Sequence, residues 1–347
     1  MKLHNVVGLF CVLSALPGLA GAVDHPIASY PIDPTGNMMP KWDDSNHRVL
    51  SYQQQKAGEQ VAVQITSINA AEPTVKINIL KDFPGAVEAF PVDIASGVGR
   101  SVVVACRLRY SKAVPLKVLI LTYDSAGKLM KIWDIAPYDP GIISTDGDGN
   151  VYTLAVRSDV FNKARGPDYG TLVEYDSDGK MVREMLPASL FPLDVDPAAY
   201  SGRTGPPFLK VSQDKIYVYA AIVSEVFVLD RSGNLLKRYT TNDPIRDLAA
   251  GNHYASREMI AGAFDGGGNL YFDMGLREPV TKGPPNAVRI GAKLTAESLQ
   301  SSQWPNPWEA AGREVVLDKR MIGVTADGSV VSLVRERGDF RVEIATH

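Results

Sequence analysis

Two charged segments that precede similar apolar runs are the first candidates for ligand recognition. Arg257-Glu258-Met259-Ile260 aligns with Lys319-Arg320-Met321-Ile322, and each leads into an apolar run typical of a strand. If the two units are neighbours in the fold, Arg257 and Arg320 could converge on a carboxylate or another anion, which a guanidinium holds bidentately. The alternative is a solvated set of charges, or pairing of the Arg257–Glu258 type between neighbouring units.

A second candidate is the segment SSQWPNPW (301–308), in which two tryptophans flank two prolines. The prolines predict a stiff, extended stretch. Exposed rings of Trp304 and Trp308 would suit stacking on a sugar or contact with a protein. The alternative is that both rings fill a gap between structural units.

The string Asp146-Gly147-Asp148-Gly149-Asn150 resembles the start of an EF-hand calcium loop. That loop needs glycine at its sixth position and glutamate at its twelfth, where this chain has Val151 and Arg157. The string is therefore interpreted as a hairpin turn. The histidines form neither H-x-H nor H-E-x-x-H, and no G-x-S-x-G elbow, phosphate loop or dinucleotide fingerprint occurs.

The N-terminus predicts a cleaved secretory signal. Lys2 precedes an apolar run from Val6 to Leu19, and small residues follow it up to Ala22. The run is short for a membrane span of about 20 residues, and no later segment of the sequence is long and apolar enough. We therefore expect a periplasmic or extracellular protein.

The charge of the mature chain argues against nucleic-acid binding. The full chain has 36 basic and 39 acidic residues, and the signal removes only Lys2, so the net charge falls from −3 to −4. No basic stripe is present either.

Cys106 would be the single cysteine left after cleavage, and its place in the apolar run SVVVACRL predicts a buried side chain.

Repeated units indicate the architecture. Segments 121–134, 172–186 and 226–239 share an apolar run, an aspartate, a glycine three residues later and a second run. A second unit recurs at 145–156, 212–222, 265–275 and 326–336. Repeats of this length built from strands are typical of a solenoid or a propeller. The glycines suit the positive φ of a tight hairpin, and each aspartate can accept hydrogen bonds from the turn amides.

The spacing predicts an all-β fold: a single propeller, for which six blades of four antiparallel strands fit best. Turns of the second unit fall at 99, 149, 214, 268 and 328, a mean step of about 57 residues. Five or seven blades remain alternatives. Strands such as Val151–Val156 are apolar on both faces, as expected of blades that pack on both sides.

The predicted divisions are a signal peptide (1–22), a proline-rich leader (23–45) and the propeller (46–347). The last strand of the propeller, 339–347, should pair with N-terminal strands. A helix is predicted only at 294–300.

These units resemble NHL-type repeats of six-bladed β-propellers. The matching residues are Asp148–Tyr152, Gly268–Tyr271 and Tyr123–Leu129, and the similarity is clear over residues 87–275. The resemblance implies a propeller whose relatives include protein-binding modules, exported proteins associated with carbohydrates or peptides, and a group of calcium-dependent lactonases. The lactonase-like relatives hold a metal in the central channel, but their early Glu-Gly-Pro is absent here. The chain also carries long insertions at 188–207 and 276–318.

The sequence thus predicts an exported propeller that binds a protein, peptide or glycan at the channel mouth without catalysis. The alternative is a calcium-dependent hydrolase or lyase of the lactonase or esterase type, so calcium remains a possible cofactor although none is predicted. No catalytic residue and no metal ligand is assigned. The predicted ligand-binding residues are His253, Tyr254, Arg257, Glu258, Trp304, Trp308 and Arg320.

Overall fold

The computed structural model describes residues 28–32, 38–160, 168–192, 195–199, 205–241, 256–277, 287–296, 301–305, 308–311 and 314–347. Within these ranges the strands form six antiparallel sheets of four or five strands. The sheets are the blades of a six-bladed β-propeller, so the predicted fold class is confirmed and the alternatives of five or seven blades are not.

The first half of the chain contains β1 (Ala28–Pro31), β2 (Met39–Asp43), β3 (Arg48–Tyr52), β4 (Gln55–Lys56), β5 (Val63–Ser67), β6 (Val75–Ile77), β7 (Glu88–Ser96), β8 (Val102–Arg109), β9 (Lys117–Tyr123), β10 (Leu129–Asp134), β11 (Tyr138–Thr145), β12 (Val151–Arg157), β13 (Gly170–Tyr175) and β14 (Met181–Pro187). The second half contains β15 (Phe208–Val211), β16 (Lys215–Ala220), β17 (Glu225–Asp230), β18 (Leu235–Thr240), β19 (Ser256–Phe264), β20 (Leu270–Arg277), β21 (Ala287–Leu294), β22 (Ser301–Pro305), β23 (Trp308–Ala311), β24 (Glu314–Val324), β25 (Val330–Glu336) and β26 (Asp339–Ala345).

Helical structure in the described residues is limited to α1 (Ile79–Asp82) and three single 3₁₀ turns, at Asp44–Asn46, Val98–Arg100 and Ala188–Leu190. The helix predicted at 294–300 does not form where it can be seen. Leu294 is the last residue of β21, where it pairs with Leu270 of β20. Residues 297–300 lie outside the described part of the chain.

Each blade runs up and down through consecutive strands. Blades 1 to 6 begin with the innermost strands β2, β7, β11, β15, β19 and β24, which adjoin one another in that order and return to β2. This ring surrounds the central channel. Two short strands from elsewhere add to the inner edges of blades 2 and 6: β4 pairs with β7, and β23 pairs with β24.

The N-terminal strand closes the ring. β1 pairs with β26, from Ala28 opposite Ile344 to Pro31 opposite Arg341. The predicted pairing between the last strand and the N-terminus is confirmed. The segment 23–45 therefore supplies both β1 and β2, and the propeller begins before residue 46. Pairing of this kind leaves blade 6 without an unpaired β26 edge.

The up-and-down topology separates two faces of the ring. Turns between the first and second strands, and between the third and fourth strands, lie at one end, which we call the turn face. Its tight turns include residues 97–101, 124–128, 146–150, 176–180, 230–234, 265–269 and 325–329. The remaining connections lie at the other end, the loop face, and include residues 53–62, 78–87, 110–116 and 221–224.

The turn-face hairpins form as the sequence predicted. In the turn of blade 3, Oδ1 of Asp176 accepts hydrogen bonds from the amides of Asp178 (3.0 Å) and Lys180 (2.9 Å). Gly179 has φ of +85°, and a Cβ there would overlap the ring of Trp133 in blade 2. The glycine therefore meets two demands, a left-handed backbone and close packing of neighbouring blades.

The core lies between the blades. Val151 to Val156 of β12 are all buried, as are Ile216 to Ala220 of β16, because each blade is covered on both sides. Cys106 in β8 is fully buried, and burial raises the pKa of its thiol to about 12. The interpretation of Cys106 as a buried apolar residue is confirmed.

Candidate functional site

The candidate site is the channel and its loop-face mouth, where the innermost strands of different blades bring charged side chains together. In the middle of the channel, Lys41 of β2 reaches Asp93 of β7. Its Nζ donates to both carboxylate oxygens, at 3.1 and 2.9 Å, and to the carbonyl of Ile143 in β11 at 3.5 Å. Three blades therefore meet at one ion pair.

Asp93 is buried and its hydrogen-bonding capacity is heavily used. Besides Lys41, the amide of Ile143 donates to Oδ2 at 2.8 Å, and the Tyr52 hydroxyl bonds to the same carboxylate. Burial, followed by the negative charge of Asp93 and this hydrogen bond, raises the pKa of Tyr52. Such an arrangement fixes the geometry of the channel wall rather than leaving a carboxylate ready for proton transfer.

Nearer the loop face, a second cluster joins blades 2 and 3. Arg107 of β8 donates from Nε to Oδ1 of Asp139 in β11 (2.6 Å) and from Nη2 to the carbonyl of Pro140 (3.2 Å). Asp196, in the segment 195–199, lies close enough for its charge to interact with both side chains. Burial raises the pKa of Asp196, and the neighbouring Asp139 carboxylate raises it further.

A third cluster joins blades 5 and 6. Arg289 of β21 donates from Nη2 to Oδ2 of Asp273 at 2.9 Å, and from Nη1 to Oδ1 of Asp318 in β24. Arg320 donates to the other oxygen of Asp318 at 3.2 Å. Asp318 is thus held between two guanidinium groups of different strands.

Arg320 is the one predicted site residue whose side chain the structure describes. It lies in β24 and keeps 48% of its side chain exposed despite the Asp318 contact. Arg257 and Glu258 lie in β19, although their side chains are outside the described part. His253 and Tyr254 lie entirely outside it.

The charged pairs lie within the innermost strands rather than before them, because β19 begins at Ser256 and β24 at Glu314. Both strands contain a register shift, between Met259 and Ala261 in β19 and between Met321 and Gly323 in β24. Relative to these bulges, Arg257 corresponds to Lys319, and Glu258 corresponds to Arg320. Lys319 itself is buried and its Nζ lies 3.3 Å from Oε2 of Glu343.

The two tryptophans lie in different blades. Trp304 is in β22, the outermost strand of blade 5, opposite Gly291. Trp308 is in β23, at the inner edge of blade 6, opposite Asp318. The segment therefore crosses from one blade to the next, and of the two tryptophans only Trp308 is on a strand at the channel edge.

A repeated contact on the turn face was missed by the sequence reasoning. A basic residue seven positions after each turn aspartate donates to a carbonyl in the corresponding turn of the next blade. The pairs are Lys131 with Ser177, Arg183 with Arg231, and Lys237 with Ala296. The constant offset from Asp124, Asp176 and Asp230 is the signal that could have revealed these contacts.

The predicted hairpin at Asp146 is confirmed. Oδ1 of Asp146 accepts from the amides of Asp148 (3.0 Å) and Asn150 (2.9 Å), and Oδ2 accepts from Arg231. Burial raises the pKa of Asp146, but the hydrogen bonds from Arg231 and Asn150 outweigh burial and the pKa is lowered overall.

Across the described ranges, no three His, Cys, Asp or Glu side chains cluster in a way that could hold a metal ion.

Comparison with known proteins supports the fold. The structure is similar to a member of the DUF4221 family from Bacteroides vulgatus, with a TM-score of 0.50 and 9% identity over 93% of this chain and 97% of that one. It is also similar to a streptogramin B lyase (TM-score 0.46, 10% identity, 92% and 97% covered) and to a gluconolactonase from Xanthomonas campestris (TM-score 0.39, 10% identity, 93% and 99% covered). No protein-family model and no curated protein matches the chain. At such identities the likeness concerns the fold alone.

No helix in the described residues is long and apolar enough to cross a membrane.

Proposed function

We propose that this chain is an exported, NHL-like β-propeller that binds a protein, peptide or glycan at the loop-face mouth of its channel, without catalysis. The observation that carries the proposal is the difference between the two faces. The seven tight turns named above lie at the turn face, whereas the ten-residue connections 53–62 and 78–87 and the extra strands β4 and β23 lie at the loop face. Longer connections on a rigid scaffold are where binding residues usually occur.

The proposed contacts are on blades 5 and 6. Arg320 keeps half of its side chain exposed beside the channel, and Trp308 belongs to the strand that adds to the inner edge of blade 6. Arg257, Glu258, His253, Tyr254 and Trp304 complete the proposed set. Arginine and tryptophan are among the residue types enriched at the energetic centres of binding surfaces.

The test is binding of the purified mature protein to a glycan array and to an array of synthetic peptides. We expect R257A/R320A to lose the positive signals that the wild type gives, while its melting temperature stays unchanged. K180Q, on the turn face, is the matched control and should keep every signal. Equal signals for R257A/R320A and wild type would contradict the proposed site, and unfolding of R257A/R320A would make the pair structural.

Export is tested by the N-terminal sequence of the protein purified from its natural host. We propose cleavage after Ala22, so the expected first residue is Val23 and the protein should appear in the periplasmic or extracellular fraction. A chain that retains Met1 or Lys2 would contradict export by this route.

The proposal also needs no resident metal, so melting of the mature protein should be the same in calcium and in excess chelator. A ligand at a hundredfold excess over its Kd stabilises by about 2.7 kcal/mol, which is a shift of a few degrees for a domain of this size. Such a shift would favour the lactonase-type alternative and contradict the metal-free binding role.

A further inference from the structure

A charged row on blade 2 lies outside the predicted site and is built by three adjacent strands at the loop face. Lys56 of β4 is directly opposite Glu88 of β7, and Glu88 is directly opposite Arg109 of β8. Residues directly opposite in an antiparallel sheet point to the same face. The order of charges along the row is therefore positive, negative, positive.

Arg109 is held in a fixed orientation. Its Nη1 donates to Oε2 of Glu88 at 2.8 Å, and its guanidinium carbon lies 5.0 Å from the centre of the Phe90 ring. The Glu88 carboxylate and the Phe90 ring thus both restrict the orientation of the Arg109 guanidinium. A ligand that binds this guanidinium would therefore lose less side-chain conformational entropy than one that binds a free arginine.

The row borders an open cavity of ≈ 310 Å³ lined by Lys56, Ala57, Val87, Glu88, Arg109 and Lys112. Its rim is braced because the amide of Ala57 donates to Val87, and the amide of Val87 donates to Arg109. The volume is at the lower end of the range for small-ligand sites.

The cavity carries an excess of positive charge. Three of its lining residues are cationic and one is anionic. Only Arg109 of the three cations lies in an ion pair: within the part of the chain that the structure describes, no carboxylate lies within 4.0 Å of the Lys56 or Lys112 ammonium group. The nearby Glu59 carboxylate accepts from the backbone amide of Lys56 instead. Two exposed ammonium groups and an oriented guanidinium therefore face one small space.

We propose that this cavity binds the oxyanion of a small acidic sugar, either a carboxylate or a phosphate ester. Lys56 and Lys112 would contact the oxyanion, and Arg109 would donate to it with the N–H groups that Glu88 leaves available. Ala57 and Val87 give the cavity an apolar wall against which the rest of the sugar can pack. The inference rests on the proposed function in placing ligand recognition on the loop face, but it concerns blade 2 rather than blades 5 and 6.

The experiment is calorimetric titration of the mature protein with galacturonate, glucose 6-phosphate and uncharged glucose at low and moderate salt. We expect saturable binding of at least one acidic sugar, weakened by salt, and none of glucose. K56Q/K112Q should weaken that binding about tenfold or more, since two charge-assisted contacts are lost. K180Q, a lysine removed from the opposite face, should bind as the wild type does.

The two acidic probes separate a carboxylate from a phosphate as the source of the oxyanion. Absence of saturable binding of both, or equal affinity of K56Q/K112Q and wild type, would overturn the inference. If R320A loses the binding and K56Q/K112Q retains it, the anion is held at blades 5 and 6. In that case the proposed function stands and the cavity on blade 2 does not.

Discussion

The turn face and the loop face of this propeller differ in how their charged groups are used. On the turn face, Arg48 is buried with Asp43 at the hairpin of blade 1 and donates to the carbonyls of Arg100 and Ser101 in blade 2. On the loop face, Arg107 and Asp139 also join two blades but remain partly exposed. The Arg48–Asp43 pair is closed off from solvent and holds two blades together, whereas the Arg107–Asp139 pair joins two blades while staying accessible to solvent and ligands.

The largest expected effect comes from breaking the buried pair. Side-chain exposure is 2% for Arg48 and 0% for Asp43, so R48M leaves a carboxylate in the core without its counter-charge. We expect a loss of about 3–5 kcal/mol in the free energy of unfolding, measured by urea denaturation. R107M on the loop face is the matched variant and should cost less than about 1 kcal/mol. Equal losses in the free energy of unfolding for R48M and R107M would contradict the difference between the two faces.

The second prediction compares two glycines with the same backbone conformation. Gly179 on the turn face and Gly58 on the loop face have φ of +85° and +93°. A Cβ at position 179 overlaps Trp133, whereas nothing lies within 4 Å of a Cβ at position 58. G179A should cost about 2–4 kcal/mol, from backbone strain plus overpacking, and G58A only about 1 kcal/mol from strain.

The melting temperatures of the two glycine variants provide the measurement. If G179A were no more destabilising than G58A, the packing of turn glycines against the preceding blade would not matter to stability, and the turn face would owe its order to local turn chemistry alone.

The smallest effect is expected at Asp196 on the loop face. Burial, and then Asp139, raise its pKa above the usual 3.8, so the native state holds the proton of this carboxyl more tightly than the unfolded chain does. The wild type therefore loses stability as the pH rises through this raised pKa, because the native state then holds a buried charge. D196N keeps a carbonyl acceptor for the amide of Ala198 and should be more stable than wild type at pH 7.

Denaturation curves at several pH values test this. The advantage of D196N should shrink as the pH falls below the raised pKa of Asp196 and disappear below the usual value of 3.8, where the Asp196 carboxyl is protonated in the native and the unfolded state. A constant difference at every pH, or a less stable D196N, would contradict a loop-face carboxyl that is destabilised by its surroundings.

The hairpins were predictable because they depend on neighbours in the sequence. An aspartate followed by a glycine three residues later specifies both the acceptor and the left-handed residue of a turn, and the spacing of these turns favoured six blades over five or seven. The strand-like final segment 339–347 predicted the pairing with the N-terminus, because a ring closed in this way has few exposed edges. The spacing did not show that residues 23–45 supply two strands, since Pro26, Pro31, Pro34 and Pro40 suggested a leader.

The candidate site was less predictable because its groups come from different blades. Asp93 is one residue in an apolar strand, and nothing in the sequence pairs it with Lys41, which is 52 residues earlier. The expectation that Arg257 and Arg320 converge rested on the similarity of the two segments that contain them. The register shifts at Ile260 and Ile322 keep the correspondence of the alignment, in which Arg257 matches Lys319 and Glu258 matches Arg320. Arg257 and Arg320 are therefore one position out of step, and a shift of one residue in a strand reverses the side to which a side chain points.

The sequence by itself determined the repeated blade architecture, with six blades as the best fit to the spacing, the chemistry of the turns and the burial of strands such as Val151–Val156, because these follow from local conformational preference and from periodicity. Only the tertiary structure decided which charges meet across blades, which ones remain exposed at the loop face, and that Lys56, Glu88 and Arg109 stand in one row. Those features depend on strand register and on closure of the ring, which bring together residues that no local rule connects.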